Sequence, residues 1–310
     1  MKIKISADHI RLLIPLVSLA VLLVAVFWLQ PRAMSYLGLN LLFNLAVPIA
    51  LATIAQMLVI AVNDLDLSIG TFVSFAACVT AVYMPSTPLL GIFILAVAIA
   101  AYAFMGMIIH LRDLPSIVVT LGMSFVWGGL AVLILPSPGG QAPVWLRSMM
   151  TAQTPIIPFA IVASLVIGIV AHLIVMKSTL GVAIRGVGGN ARSVSRAGWS
   201  VLRIKVAAYA LSGFFSVLAG MALVGLTTSA DANIALRYTL LSIAGVILGG
   251  GEFVGGRVSP IGAVVGALTL TLAGSFLSFL RISPDWQIGA QGAVLIVVLG
   301  LRLIFSRREA

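Results

Sequence analysis

Two acidic side chains stand between apolar runs in the first quarter of the chain, within the segment NDLDLSIG at 63–70. A close pair of carboxylates can carry out acid–base chemistry or relay protons. Asp64 and Asp66 are two positions apart, so on a helix their side chains point away from each other. This spacing favours a structural role over a proton relay, with Asp66 or Ser68 capping the helix that follows.

A basic segment occupies residues 177–205. It holds six of the 18 Lys and Arg residues and no Asp or Glu. Asn190 is a favoured N-cap residue and Gly198 a favoured terminator, which predicts a short helix over 191–197. With Arg192 and Arg196 near Trp199, such a helix suits a groove on a partner protein. The alternative is a solvated loop that rests on lipid.

Residue patterns that support catalysis are absent from the sequence. The three histidines lie far apart, and the single cysteine, Cys78, lies in an apolar run. There is no G-x-x-x-x-G-K-[ST] motif for ATP, no nucleophile elbow and no HExxH pair. We therefore expect no metal site, no cofactor and no enzymatic activity. No stretch is predicted to form a soluble domain, so the chain is driven by a partner, by an ion gradient or by nothing.

The composition indicates which elements hold these residues. Apolar residues make up 61% of the 310 residues and charged residues 8%, against about 25% in soluble domains. The chain is therefore predicted to be one integral membrane domain over residues 1–310. The net charge of +10 does not indicate nucleic-acid binding, because the cations sit mostly at the ends of apolar runs, where lipid and the insertion machinery read them.

The apolar runs predict an all-α bundle of about ten membrane spans, or eight if one hairpin is re-entrant. With both termini in the cytoplasm, fourteen of the 18 cations lie inside, including the whole basic segment, and the acidic pair lies at the cytoplasmic interface. The second and third runs are candidates for broken helices, and the eighth is short. The runs lie at 12–30, 39–62, 68–84, 89–110, 115–135, 156–176, 206–227, 237–250, 260–280 and 286–304.

Uncharged polar and small residues recur at helical spacing within these spans. The polar sets either line a path for solute or hydrogen-bond between helices, and because none is charged they suit a neutral hydroxylated solute better than an ion. The glycine pairs 245/249 and 262/266 predict close helix approach. Candidate pore-lining residues are Asn40, Asn44, Gln56, Ser124, Ser212 and Ser216.

Three segments carry a resemblance to a known family. They are NDLDLSIG at 63–70, STLGVAIRGVGGNARSVSRAGWSVLRIKVAAYALSGFFSVLAGM at 178–221, and ILGGGEFVGGRVSPIGAVVGALTL at 247–270. In order and spacing they resemble the signature motif, the coupling loop with its following helix, and the glycine-rich element of permease subunits of bacterial ABC importers for ribose and other monosaccharides. The signature residues are Asp64, Asp66, Ser68 and Gly70.

This resemblance implies a multi-pass protein of the bacterial inner membrane. It also implies a second permease chain, a cytoplasmic ABC ATPase docked on the basic segment, and a periplasmic solute-binding protein. Asn63-Asp64 stands where the family has Gly-Gly, and Val194-Ser195 stands near its usual Ala-Ala, which leaves both homodimer and heterodimer open. The implied ATPase contacts are Arg185, Asn190, Arg192, Arg196 and Gly198.

The alternative from another class is a secondary transporter driven by protons or sodium. Such a protein usually commits an acidic side chain to the membrane interior. The two alternatives differ in whether uptake stops when ATP is removed while an ion gradient remains.

Overall fold

The computed structural model describes residues 7–280 and residue 289 of the chain. Twelve α-helices follow one another in this part of the chain, with a 3-10 turn at Pro31–Met34 and a π turn at Leu173–Lys177. The helices are α1 (Ala7–Leu29), α2 (Tyr36–Phe43), α3 (Ala46–Ile60), α4 (Ile69–Tyr83), α5 (Pro88–Leu111), α6 (Ser116–Ile134), α7 (Val144–Met150), α8 (Phe159–His172), α9 (Thr179–Arg196), α10 (Val201–Thr227), α11 (Tyr238–Leu248) and α12 (Pro260–Phe279).

The all-helical class is confirmed for the described residues, and nine of the ten predicted runs coincide with helices or helix pairs. Six segments are long and apolar enough to cross a membrane: 36–60, α5, α6, 159–177, α10 and α12. Shorter apolar helices cover 15–29, α4 and α11. The tenth run, 286–304, lies outside the described residues apart from residue 289. The number of crossings and their sidedness stay predictions.

Of the second and third runs, the two candidates for broken helices, only the second is interrupted, because the third forms the continuous helix α4. The second run is divided between α2 and α3 at residues 44 and 45, and α11 has only 11 residues. We name two further interruptions. The acidic break, residues 61–68, joins α3 to α4, and the glycine break, residues 249–259, joins α11 to α12.

Helices α3 and α10 form the centre of the bundle. Every residue of α3 is buried, as expected for a helix that is apolar all round. Helix α10 packs closely on its neighbours through glycines, with Gly106 of α5 against Tyr209 and Gly220 against Ala76 of α4. By contrast, α5, α6 and α8 expose apolar side chains such as Phe93, Phe125 and Leu165, which is the pattern of a lipid-facing surface.

The predicted small-residue contact between α11 and α12 is confirmed. A Cβ on Gly249 would lie 2.3 Å from the carbonyl oxygen of Gly262, and one on Gly266 would lie 2.2 Å from that of Gly245. Only glycine permits this approach of the two backbones. The glycine break therefore begins and ends on a tightly joined helix pair.

The two ends of the bundle differ in their connections. Helix α7 forms in the loop 136–155 between α6 and α8, and its Met150 packs against Gly225 near the end of α10. The same loop pairs with the segment after α10 through a bridge between Gly139 and Ala230. Helix α9 and both breaks lie at the other end, beside the start of α10.

Candidate functional site

Asp64 is paired with a cation from the basic segment. Both carboxylate oxygens accept from Lys205 Nζ, at 3.1 and 2.9 Å, and Tyr209 Oη lies 3.3 Å from Oδ2. The side chains of Lys205 and Asp64 are only 16% and 10% exposed. Lys205 and Tyr209 are one turn apart on α10, so the acidic break is fixed to the first turns of that helix.

Asp66 is fully buried within the bundle, and its position at the cytoplasmic interface stays a prediction. Its Oδ1 accepts from the amide and hydroxyl of Ser68, both at 2.7 Å, and its Oδ2 accepts from Tyr102 Oη. Tyr102 is nine residues before the end of α5, about 13 Å along the helix axis. Burial raises the pKa of the Asp66 carboxyl, and the hydrogen bonds from Tyr102 and Ser68 oppose that rise.

The predicted capping of α4 takes a different form. Ser68 is the N-cap residue, but its side chain makes no capping hydrogen bond. The prediction that the Ser68 side chain caps α4 is therefore wrong. Asp66 instead accepts from the amide of Ser68 itself, a local turn that leads the chain into α4. Gly70 then approaches α11, where its amide donates to Thr239 Oγ1 at 3.0 Å.

Side chains from neighbouring helices satisfy the backbone of the acidic break. Ser116 Oγ and Thr120 Oγ1 of α6 accept from the amides of Leu65 and Leu67, each at 3.1 Å. With its amide oriented to satisfy both groups, Gln56 donates to the carbonyl oxygen of Asp66 at 3.0 Å and accepts from its amide at 3.3 Å. A non-helical segment is stable in a membrane protein only when its backbone groups are paired in this way.

Asn63 connects the two breaks to α9. Its Nδ2 donates to the carbonyl oxygen of Gly188 at 2.7 Å, and its Oδ1 accepts from the amide of Gly255 at 3.0 Å. The φ of Asn63 is +63°, a left-handed conformation that glycine adopts freely and asparagine tolerates. The residue that departs from the family's Gly-Gly thus keeps the backbone a glycine would adopt and adds two hydrogen bonds.

The first half of α9, residues 179–189, is anchored to the rest of the protein. A Cβ on Gly188 would lie 2.2 Å from the carbonyl oxygen of Ala61, and one on Gly256 would lie 2.1 Å from that of Arg185. Arg185 itself is half-buried, and its Nε donates to the carbonyl oxygen of Val175 at 3.2 Å. Among the five implied ATPase contacts, Arg185 therefore lies in the anchored part.

The second half of α9 projects from this base. Asn190 is non-helical and its Oδ1 accepts from the amide of Ser193 at 3.0 Å, so the predicted N-cap is confirmed. The predicted terminator is confirmed as well, since Gly198 has a φ of +86°. Arg192, Arg196 and Trp199 are exposed, Trp199 by 49%. The four implied contacts from 190 to 198 thus form one short, exposed, cationic segment.

The six candidate pore-lining residues differ in their exposure, and their role in a solute path stays a prediction. Gln56, Ser212 and Ser216 are fully buried in the bundle. Ser124 is half-buried and donates to the carbonyl oxygen of Leu121, which is local helix bonding. Only α2 and its end present polar candidates outward, with Asn40 half-buried and Asn44 exposed at the interruption before α3.

Sequence reasoning missed the partners of the acidic pair. Tyr102 and Lys205 are 36 and 141 residues from the carboxylates they bind, and no local pattern joins them. One signal was available for Lys205, because the positive-inside count placed it on the same side as Asp64. Tyr102 lies in a wholly apolar run, where a single tyrosine is ordinarily interpreted as a packing residue and not as a hydrogen-bond partner.

Comparison with known proteins identifies the chain at family level. Residues 38–299 match the family described as branched-chain amino acid transport system / permease component. The probable ABC transporter permease protein y4mJ of Sinorhizobium fredii is 28% identical, over 94% of this chain and 90% of the relative. The galactofuranose transporter permease protein of Escherichia coli is 29% identical, over 86% and 79%. The ribose import permease protein of Bacillus subtilis is 27% identical, over 92% and 90%.

No solved structure gives a significant match. The relatives are named as permeases, and six segments of this chain are long and apolar enough to cross a membrane. Permeases of this kind are transport subunits, whereas ATP hydrolysis belongs to a separate chain. Because the family match spans most of the sequence, this multi-pass inner-membrane protein belongs to the permease component family of ABC importers.

Proposed function

We propose that the chain is the membrane-spanning permease subunit of an ATP-driven importer for a small hydroxylated solute of the monosaccharide class. The observation that carries the proposal is the exposed cationic segment at 190–198, held on a base that is hydrogen-bonded to both breaks. A partner that moves this segment moves the helices behind it.

The ATPase subunit binds this exposed segment in the proposed complex. A cleft of about 370 Å³ separates the two halves of α9, and Val182, Val194 and Trp199 are among its lining residues. Apolar walls beside Arg192 and Arg196 offer a partner both burial and charge pairing. The anchoring through Asn63 and Gly188 transmits the partner's motion to α3 and α12.

The solute class follows from the relatives and from the polar side chains. Galactofuranose and ribose are the solutes named for two relatives. Asn40 and Asn44 lie where a path between two permease chains would find neutral hydrogen-bonding groups. A periplasmic binding protein delivers the solute, and the second permease chain is either a copy of this one or a different one.

Charge reversal tests the docking surface. The double variant Arg192→Glu, Arg196→Glu is expected to lose the co-purifying ATPase while retaining membrane insertion. The matched control is Arg147→Glu, an exposed arginine on α7 at the opposite end of the bundle, which should retain the ATPase. Normal association in the double variant would contradict the docking assignment.

Affinity purification from the native membrane followed by mass spectrometry identifies the partners. Recovery of a P-loop ATPase supports the importer, and recovery of a second permease establishes a heterodimer. The family match favours ATP over an ion gradient. Uptake by vesicles that hold an ion gradient without ATP would reverse that preference.

A further inference from the structure

A cavity of about 640 Å³ opens at the end of the bundle that holds both breaks. The end of α8 and its π turn, the first half of α9 and the glycine break form its walls. Lys177, Arg185 and Arg257 line it, each from a different one of these elements, and His172 lies beside them. Among the described residues, its lining contains no carboxylate. We call it the basic cavity.

The three cations of the basic cavity are poorly neutralised. Arg185 is fixed through its Nε to Val175, which leaves its terminal amino groups without an acceptor among the described residues. Arg257 forms an ion pair with Glu252, at 3.5 Å between Nη1 and Oε2, and its side chain is still 61% exposed. Lys177 is exposed. Three positive charges and one negative charge therefore meet at one concave site.

A helix terminus adds to this positive potential. Ser259 is part of the lining and is the N-cap of α12, a helix of 20 residues whose partial positive charge lies at this end. An anion in the basic cavity would thus be attracted by side chains and by the backbone. Arginine forks and a lysine suit phosphate oxygens in particular.

An apolar surface leads directly away from the basic cavity. Ile169 of α8 and Leu173 of the π turn are 47% and 54% exposed, and Val182 of α9 is 56% exposed at the mouth. This side of α8 belongs to a segment fit to cross the membrane, which ends at Lys177. A ligand that is anionic at one end and apolar at the other would fill both surfaces, whereas a free anion would use only the first.

We propose that the basic cavity binds the phosphate-bearing headgroup of an anionic phospholipid, with the acyl chains lying along α8. Basic pockets at the ends of membrane helices bind such headgroups. The lipid would rest against Arg185 and the glycine break, the two elements joined at the base of α9. This site does not depend on which solute the permease carries.

Native mass spectrometry of the purified transporter tests the site with two probe lipids, phosphatidylglycerol and zwitterionic phosphatidylcholine. Retained phosphatidylglycerol and little phosphatidylcholine are expected. The double variant Lys177→Gln, Arg257→Gln should retain phosphatidylglycerol about fivefold less for each cation removed. Both residues are exposed, so the variant should fold. Arg203→Gln, an exposed arginine at the start of α10 and not among the lining residues, is the matched control.

Two results would overturn the proposal. Equal retention of the two lipids, or equal retention of phosphatidylglycerol by the double variant and by Arg203→Gln, would remove the headgroup site. Displacement of phosphatidylglycerol by a large excess of inorganic phosphate would assign the cavity to a free anion instead, because the acyl chains on α8 should prevent it.

Discussion

The acidic break and the glycine break interrupt helices at the same end of the bundle and touch the same part of α9, but they are held by different means. The acidic break is fixed mainly by side chains, with Asp64 on Lys205 and Asp66 on Tyr102, and only its first residue, Ala61, meets α9 through backbone approach to Gly188. The glycine break is fixed by backbone approach, with Gly256 against the carbonyl of Arg185.

This difference shows two solutions to one problem. A chain that leaves the helical conformation within a membrane protein exposes amide and carbonyl groups that lipid cannot satisfy. Side chains of α3 and α6 pair with the backbone of the acidic break, and side chains of α5 and α10 bind its two carboxylates. Because glycine has no side chain, the backbone of the glycine break can pack directly against α9 and α12. The first solution should tolerate single substitutions better than the second, because no single side chain there supports the whole contact.

The largest effect is expected where backbones touch. Gly188→Ala places a methyl group 2.2 Å from the carbonyl oxygen of Ala61, so α9 must move away from both breaks. We expect a loss of about 3 kcal/mol in the free energy of unfolding, since overpacking costs roughly 1–3 kcal/mol. The measurement is thermal unfolding of the detergent-purified protein. Gly189→Ala is the control, because its Cβ would lie 3.7 Å from the nearest atom, the carbonyl oxygen of Gly255. Similar unfolding of the two variants would mean that the close approach does not constrain α9.

The buried carboxylate should give the next largest effect. Tyr102→Phe removes the hydroxyl that donates to Asp66, which leaves a buried acceptor short of a partner. A loss of about 2 kcal/mol follows from the usual desolvation penalty. Tyr83→Phe is the control, a half-buried tyrosine whose hydroxyl has no partner among the described residues. If thermal unfolding gives both variants the same stability, the Asp66 network does not hold the acidic break.

How far the sequence predicts this region depends on the range of the interactions. Helix positions, the cap at Asn190, the terminator at Gly198 and the glycine pairs of α11 and α12 follow from local spacing, and the structure confirms them. Contacts between Asp66 and Tyr102, or between Asn63 and Gly188, join segments far apart in the chain. They depend on how helices pack, which apolar periodicity leaves open because these helices are apolar nearly all round. For the same reason the role of Gln56, Ser212 and Ser216, which are buried within the bundle, stays a prediction.

A smaller effect is expected from the ion pair that joins the acidic break to α10. Asp64→Asn and Lys205→Met should each destabilise the protein, and the double variant should lose less than their sum. We expect a coupling energy of about 1–2 kcal/mol, above that of an exposed pair because both side chains are mostly buried. Thermal unfolding of the four proteins gives this cycle. Additive losses would show that Asp64 and Lys205 act independently.

The smallest effect concerns the residue that lies between the two breaks. Asn63 holds a φ of +63°, so Asn63→Ala adds backbone strain to the loss of two hydrogen bonds, whereas Asn63→Gly loses the hydrogen bonds alone. The glycine variant should be more stable than the alanine variant by about 1 kcal/mol, the usual cost of the left-handed conformation. Thermal unfolding ranks the three proteins, and an alanine variant as stable as the glycine variant would contradict the assigned backbone. If the wild type exceeds the glycine variant as well, the two hydrogen bonds of Asn63 contribute to joining the breaks. In that case the Asn63 side chain anchors α9 to the acidic break by a hydrogen bond, whereas the glycine break is anchored to α9 by backbone contact.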